Sequence, residues 1–167
     1  MRALLAGTAI CAAFAASTLD AQAIRTGSRA PAIDLPTMTG SRIELAKLRG
    51  RPVLITFWGT WCPPCRVEFP ELIRAHNTHS PEGLFILAVN GRDQERNTKD
   101  VQQFIDAFQV PFPVVLDKRG SVRRAYRIQG QPTTVFIDSS GIIRRVHTGL
   151  INRDELQSGI ELILPRS

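Results

Sequence analysis

A continuous apolar run, Val53 to Trp58, passes through Gly59-Thr60-Trp61 and meets two cysteines that straddle two prolines, Cys62-Pro63-Pro64-Cys65. This stretch restricts the fold more than any other. The run is rich in β-branched residues and broken only by Thr56, so it reads as a strand buried on both faces. Beyond Cys65, Phe69, Leu72 and Ile73 recur at i, i+3 and i+4, the stripe of an amphipathic helix. A buried strand must therefore give way to a helix within a few residues. The cysteines fall at that junction.

The spacing carries chemistry. Two residues at i and i+3 at a helix start lie on one face, about 5 Å apart at Cα, inside the roughly 4.4–6.8 Å that a disulfide spans. Cys62 takes the N-cap position, where unpaired N–H groups and the positive end of the helix dipole favour a thiolate. Cys62 is the expected nucleophile and Cys65 the resolving thiol. A proline suits the first helical position, yet neither proline has an N–H to donate to the Cys62 sulfur. The Cys65 N–H is left as the main donor, and such modest thiolate stabilisation suits a reductant better than a strong oxidant. Pro64 should also push Pro63 away from helical angles. The plainer alternative is a structural disulfide or a buried thiol pair. The preceding strand and the adjacent Trp61 argue for a redox pair instead.

Cysteine usage agrees. The third cysteine, Cys11, lies in a leading apolar segment, Ala3 to Leu19, behind the positive start Met1-Arg2 and ahead of Ala21-Gln22-Ala23. That order reads as a secretory signal peptide, residues 1–23, with the folded domain over 24–167. An uncleaved anchor is the alternative, since the apolar segment is at the lower limit for crossing a bilayer. Export would put Cys62 and Cys65 in an oxidising compartment, the periplasm. A structural zinc site would want two more soft ligands, so no metal and no cofactor is expected. His76 and His79 have ligand-like spacing but belong to a helix end. The chain has 167 residues, 43% apolar, which allows one domain with a real core. Its net charge of +6 is spread out rather than gathered into a stripe with interleaved aromatics, which argues against nucleic acid.

The other elements follow from pattern. Ala32–Leu35 and Ser41–Leu45 flank Thr37-Met38-Thr39-Gly40 and predict a β-hairpin. Leu84–Val89 predicts a second buried strand, followed by a polar loop, Asn90 to Lys99. Val101, Phe104, Ile105 and Phe108 predict a helix capped by Asn97 or Thr98, with a strand over Phe112–Leu116. Ser121–Tyr126 predicts a short helix, Pro132–Asp138 and Ile142–His147 a hairpin, and Asn152 with Glu155 the capped start of a last helix. Pro70 should kink the helix that follows the cysteines.

Phe57-Trp58 through Cys65, with Glu68, Phe69 and Pro70 after it, resembles the thioredoxin superfamily, and within it the TlpA/ResA-like thiol reductases of bacterial envelopes. The resemblance covers roughly residues 28–164. It implies an α/β fold: a central mixed β-sheet flanked by helices, an N-terminal β-hairpin, and an inserted helix and strand that plain thioredoxin lacks. It implies that Pro132 is cis and faces the cysteines, and that Trp61, Gln131 and Pro132 line the groove for an extended substrate chain. Many thioredoxins carry a buried acid where this chain has Thr56, so a proton acceptor must come from elsewhere. The resemblance implies an acid soon after the second central strand, and Asp93 and Glu95 both fit. Glu68 belongs to the motif, but it reads as a solvated helix charge.

The resulting expectation is a thiol–disulfide oxidoreductase that reduces disulfides of exported proteins. Resemblance suggests apocytochrome c or metalloprotein cysteines as substrates, and an upstream electron donor such as a membrane thiol reductase. Rival readings are a DsbA-like oxidase or isomerase, and a non-catalytic module holding Cu(I) between the two sulfurs. A peroxidase fits poorly: the peroxidatic cysteine of peroxiredoxin-like chains would fall at Gly59.

Overall fold

The computed structural model describes residues 24–165. The expected signal peptide, with Cys11, lies outside them. A five-stranded sheet has the order β5-β4-β3-β6-β7, built from β3 Val53–Trp58, β4 Phe85–Asn90, β5 Val114–Leu116, β6 Thr133–Ile137 and β7 Ile143–Thr148. Strands β3, β4 and β5 run parallel, while β6 and β7 are antiparallel to their neighbours, so the sheet is mixed. Ahead of it, β1 Asp34–Pro36 and β2 Arg42–Glu44 form the expected hairpin. The helices are α1 Pro63–His79, α2 Thr98–Phe108, α3 Ser121–Ala125 and α4 Arg153–Glu161. Helix α2 and strand β5 form the expected insert. Among the described residues, no helix is long and apolar enough to cross a membrane.

Strand β3 is buried along its whole length, and its alternation divides the core. Leu54 and Trp58 face α1, α2 and α4 with Ile86, Ala88 and Phe136. Val53, Ile55 and Phe57 face the hairpin side with Leu87, Val89, Val135 and Tyr126. Trp58 packs edge-on against Phe69 at 4.8 Å between ring centroids, and Phe104 lies 4.5 Å from it. These contacts join the strand to α1 and to the inserted helix, and each such pair is worth about 0.5–1.5 kcal/mol beyond burial. The end of β3 is thereby fixed against both helices before the chain turns to the cysteines.

Local signals set the ends of the helices. The Asn97 side chain accepts from Asp100 N–H at 2.9 Å and starts α2. A reciprocal capping box between Asn152 and Glu155 starts α4. Helix α1 begins at Pro63 in spite of Pro64, and it continues through Pro70, whose side is exposed. The apolar stripe of α1 carries it one turn beyond the expected end near His76. His79 closes it, bonded to Glu82 at 2.8 Å and to Gln157 at 3.0 Å.

Candidate active site

The turn from β3 into α1 holds the two cysteines. Cys62 is the N-cap of α1, in extended conformation, and its sulfur accepts from the Cys65 N–H at 3.2 Å. The two are joined as a disulfide with a Cα–Cα separation of 5.3 Å. Both are buried, at 2% and 0% exposure, while the neighbouring Trp61 is 52% exposed. An exposed indole thus stands beside a pair of sulfurs set just below the surface.

Strand register brings the second wall to the same place. Phe57 pairs with Thr133 across β3 and β6, so Pro132 lies opposite Trp58, at the cysteine end of the sheet. The Gln131–Pro132 bond is cis, and the Pro132 carbonyl accepts from Gly149 N–H at 2.8 Å. The Gln131 amide folds inward and donates to Gln94 at 3.4 Å. Little room is left beneath it. A Cβ on Gly59 would meet Trp61 Nε1 at 2.7 Å and Gln131 Oε1 at 3.2 Å, and one on Gly91 would meet Gln131 Nε2 at 3.0 Å. Trp61, Gln131 and Pro132 therefore gather at the cysteine end, with Gln131 packed over two bare stretches of backbone.

Glu68 departs from the expectation of a solvated helix charge. It is 1% exposed, one turn beyond Cys65. It accepts from Thr134 Oγ1 at 3.1 Å and Thr56 Oγ1 at 3.4 Å, and from the Ile151 backbone N–H. Oε2 is buried without a partner. Burial pushes its pKa up to about 7, against the opposing pull of those hydrogen bonds. The reason lies in the pattern: Cys65, Glu68, Phe69 and Leu72 stand at i, i+3, i+4 and i+7, so Glu68 belongs to the buried stripe. Thr56 and Thr134 are direct partners across β3 and β6, and both turn toward α1. The buried acid missing from the strand at Thr56 is supplied by the helix above it.

The two candidate loop acids part company. Glu95 is buried and takes Thr60 N–H at 2.7 Å, Thr60 Oγ1 at 2.5 Å and Asn90 Nδ2 at 2.8 Å. It holds the turn before Cys62. Asp93 pairs instead with Arg123 at 3.0 Å. Between this turn and α2 runs a groove lined by Trp61, Arg66, Arg96, Asp100, Gln103 and Phe104. The Arg66 guanidinium lies over the Phe104 ring, 5.2 Å from its centroid. His76 and His79 do not come together as ligands: the His76 ring packs on Phe112, 5.7 Å between centroids, and burial lowers its pKa. Among the described residues, no three His, Cys, Asp or Glu side chains gather as a metal site.

Three comparisons bear on this arrangement. A model of the AhpC/TSA family matches residues 26–146. The thiol-disulfide oxidoreductase ResA of Halalkalibacterium halodurans is 37% identical over 148 residues, 89% of this chain and 82% of that protein. The thioredoxin-like protein YneN of Bacillus subtilis is 33% identical over 139 residues, 83% of this chain and 81% of that one. Among solved structures, a Chlorobium tepidum protein assigned as the thiol:disulfide interchange protein DsbE superposes with a TM-score of 0.78 at 30% identity, covering 86% of this chain and 100% of that one.

Proposed function

Because this chain belongs to the AhpC/TSA family, as a thioredoxin-like thiol–disulfide oxidoreductase of the ResA/DsbE type, we propose that it reduces disulfides of exported proteins through Cys62 and Cys65. One observation carries the reading: the Cys62–Cys65 pair at the N-terminus of α1, with the Gln131–Pro132 segment at the same end of the sheet.

The reduced protein begins with Cys62 as thiolate, held by the Cys65 N–H and the first turn of α1. It attacks one sulfur of a substrate disulfide; the other sulfur leaves as a thiolate, and a mixed disulfide forms. Cys65 then attacks the Cys62 sulfur and expels the second substrate thiolate. The Cys65 proton passes to Glu68, whose pKa near 7 suits it to take and return a proton at neutral pH. The substrate gains two electrons and the protein is left with the Cys62–Cys65 disulfide. An upstream dithiol donor, such as a membrane thiol reductase, restores it.

Trp61 and the main chain around Gln131 and Pro132 form the docking edge, where an extended chain adds by β-augmentation. Exposed Val67 and Leu150 add apolar surface for such a chain. The location is the periplasm, by way of the signal segment 1–23, and cysteines of apocytochrome c or of metalloproteins awaiting their metal are the substrates suggested by family resemblance. Reduction rather than oxidation follows from the two prolines, which leave a single N–H on the Cys62 sulfur.

Substrate trapping tests the reading. Cys65→Ser should accumulate mixed disulfides at Cys62 with a specific set of cysteine proteins. Capture of the same set by a Cys62→Ser protein would overturn the assignment of roles. Titration of the couple against glutathione should give a reducing potential, and a strongly oxidising one would favour the DsbA-like alternative.

A further inference from the structure

At the end of the sheet away from the cysteines lies a cavity of about 250 Å³. Val53 opens β3 and Trp58 closes it, and at roughly 3.3 Å per residue the cavity end lies about 17 Å from the cysteine end. Leu45, Leu48, Val53 and Ile137 give it an apolar floor, and Arg29, Arg49 and Arg51 stand around it.

Among the described residues, none of these three arginines takes part in an ion pair. Asp138 also lines the cavity, but Arg144 holds it at 2.6 Å and the Ile142 N–H at 2.9 Å. Arg49 is held by the Ser140 carbonyl and lies so close to Gly141 that a Cβ there would strike its guanidinium. Arg51 donates to the Gly83 carbonyl at 3.3 Å and sits over the Phe85 ring at 5.1 Å. Neutral groups thus orient Arg49 and Arg51, and each spends one of its five N–H donors in doing so. Arg29, Arg49 and Arg51 are all exposed and stand at the rim above that apolar floor. A planar donor fork matches phosphate in bidentate fashion, and the floor suits the apolar stem behind it.

The path of the chain points to the source of that phosphate. Ile24, the first described residue, packs against the core cluster that contains Leu45, as does Leu48. Gly27 and Ala30 are pinned to the Ile143 and Gly141 carbonyls at 2.7 Å and 3.0 Å. The sequence that precedes them carries the apolar stretch Ala3 to Leu19. We propose that this cavity binds the phosphate of an anionic phospholipid and seats this end of the domain on a bilayer, with the cysteines facing away from it.

Flotation of the full chain with vesicles tests this, using phosphatidylcholine alone and a mixture with phosphatidylglycerol at low ionic strength. Attraction to an anionic surface changes by about fivefold for each basic residue removed. Arg29→Gln/Arg51→Gln should therefore lose about thirtyfold of the native chain's preference for the mixed vesicles over phosphatidylcholine alone. Binding to phosphatidylcholine, which reports the apolar leader, should be unchanged, as should the rate of disulfide reduction. Lys118→Gln/Arg119→Gln removes the same charge at the other end of the sheet and should have little effect. Equal loss in both double variants would assign the effect to overall charge and overturn the proposal. So would native binding that ignores phosphatidylglycerol. Inorganic phosphate titrated calorimetrically separates the sources: binding to the native chain, without any preference for the mixed vesicles, would mean a site for free phosphate and would reject the lipid.

Discussion

Replacing Glu68 by Gln should change how stability depends on pH, and the sign is fixed by burial. Glu68 has a pKa of about 7 in the folded protein against an ordinary value of 4.5. Between those two values the folded state holds a proton that the unfolded state has lost. Stability is therefore complete below pH 4.5 and is lost as pH rises through 7. The shift corresponds to about 3 kcal/mol, with no discount for solvent screening at 1% exposure. Gln keeps an acceptor for Thr56 and Thr134 but never ionises. The assay is urea unfolding of the oxidised full chain from pH 5 to pH 9, with native and Glu68→Gln proteins compared at each pH. Using the oxidised form removes the cysteines from the titration. The subtraction removes His76, whose lowered pKa gives a slope of opposite sign. The variant should gain on the native protein by about 2–3 kcal/mol between pH 5 and pH 9. Parallel curves across the range would refute a buried carboxyl that ionises near neutrality.

Three further outcomes are expected. Thr134→Val removes a hydrogen bond that lowers the Glu68 pKa, so the midpoint of that pH dependence should move upward; an unchanged midpoint in the same urea series would mean that this bond is not made in solution. Glu95→Ala strips three bonds from Thr60 and Asn90 and should cost about 2–4 kcal/mol, while Asp93→Ala breaks only a partly exposed ion pair and should cost less than about 1 kcal/mol; thermal unfolding ranks the two. Gly59→Ala should drive its methyl into the Trp61 indole and cost on the order of 1–3 kcal/mol, with altered tryptophan fluorescence; a silent substitution would mean that Trp61 does not rest on Gly59.

The element order was legible because each signal was local. The apolar run of β3, the caps at Asn97 and Asn152, and the cysteine spacing all act within a few residues. Boundaries moved where a ladder needed a partner: the expected Phe112–Leu116 strand pairs with β4 only from Val114, where Ala88 lies alongside. The chemistry of the cysteine turn could be read from four residues. Glu68 could not be read in that way, because an acid on a helix is exposed by habit, and only the register that sets Thr56 beside Thr134 gives it a buried place. Yet the i+3 step from Cys65 was visible, and extending the apolar stripe through it would have marked the position. The choice between Glu95 and Asp93 depended on the fold of a short 3₁₀ turn, Arg92–Gln94, which aims one acid inward and the other at Arg123.

Hanging the buried carboxyl on the same turn of helix as the inner sulfur ties the two together mechanically. Thr56 and Thr134 bond the same carboxyl to β3 and β6, so acid, inner sulfur and the centre of the sheet share one frame. In the proposed relay, the inner thiol and its proton acceptor would then keep one spacing throughout the cycle.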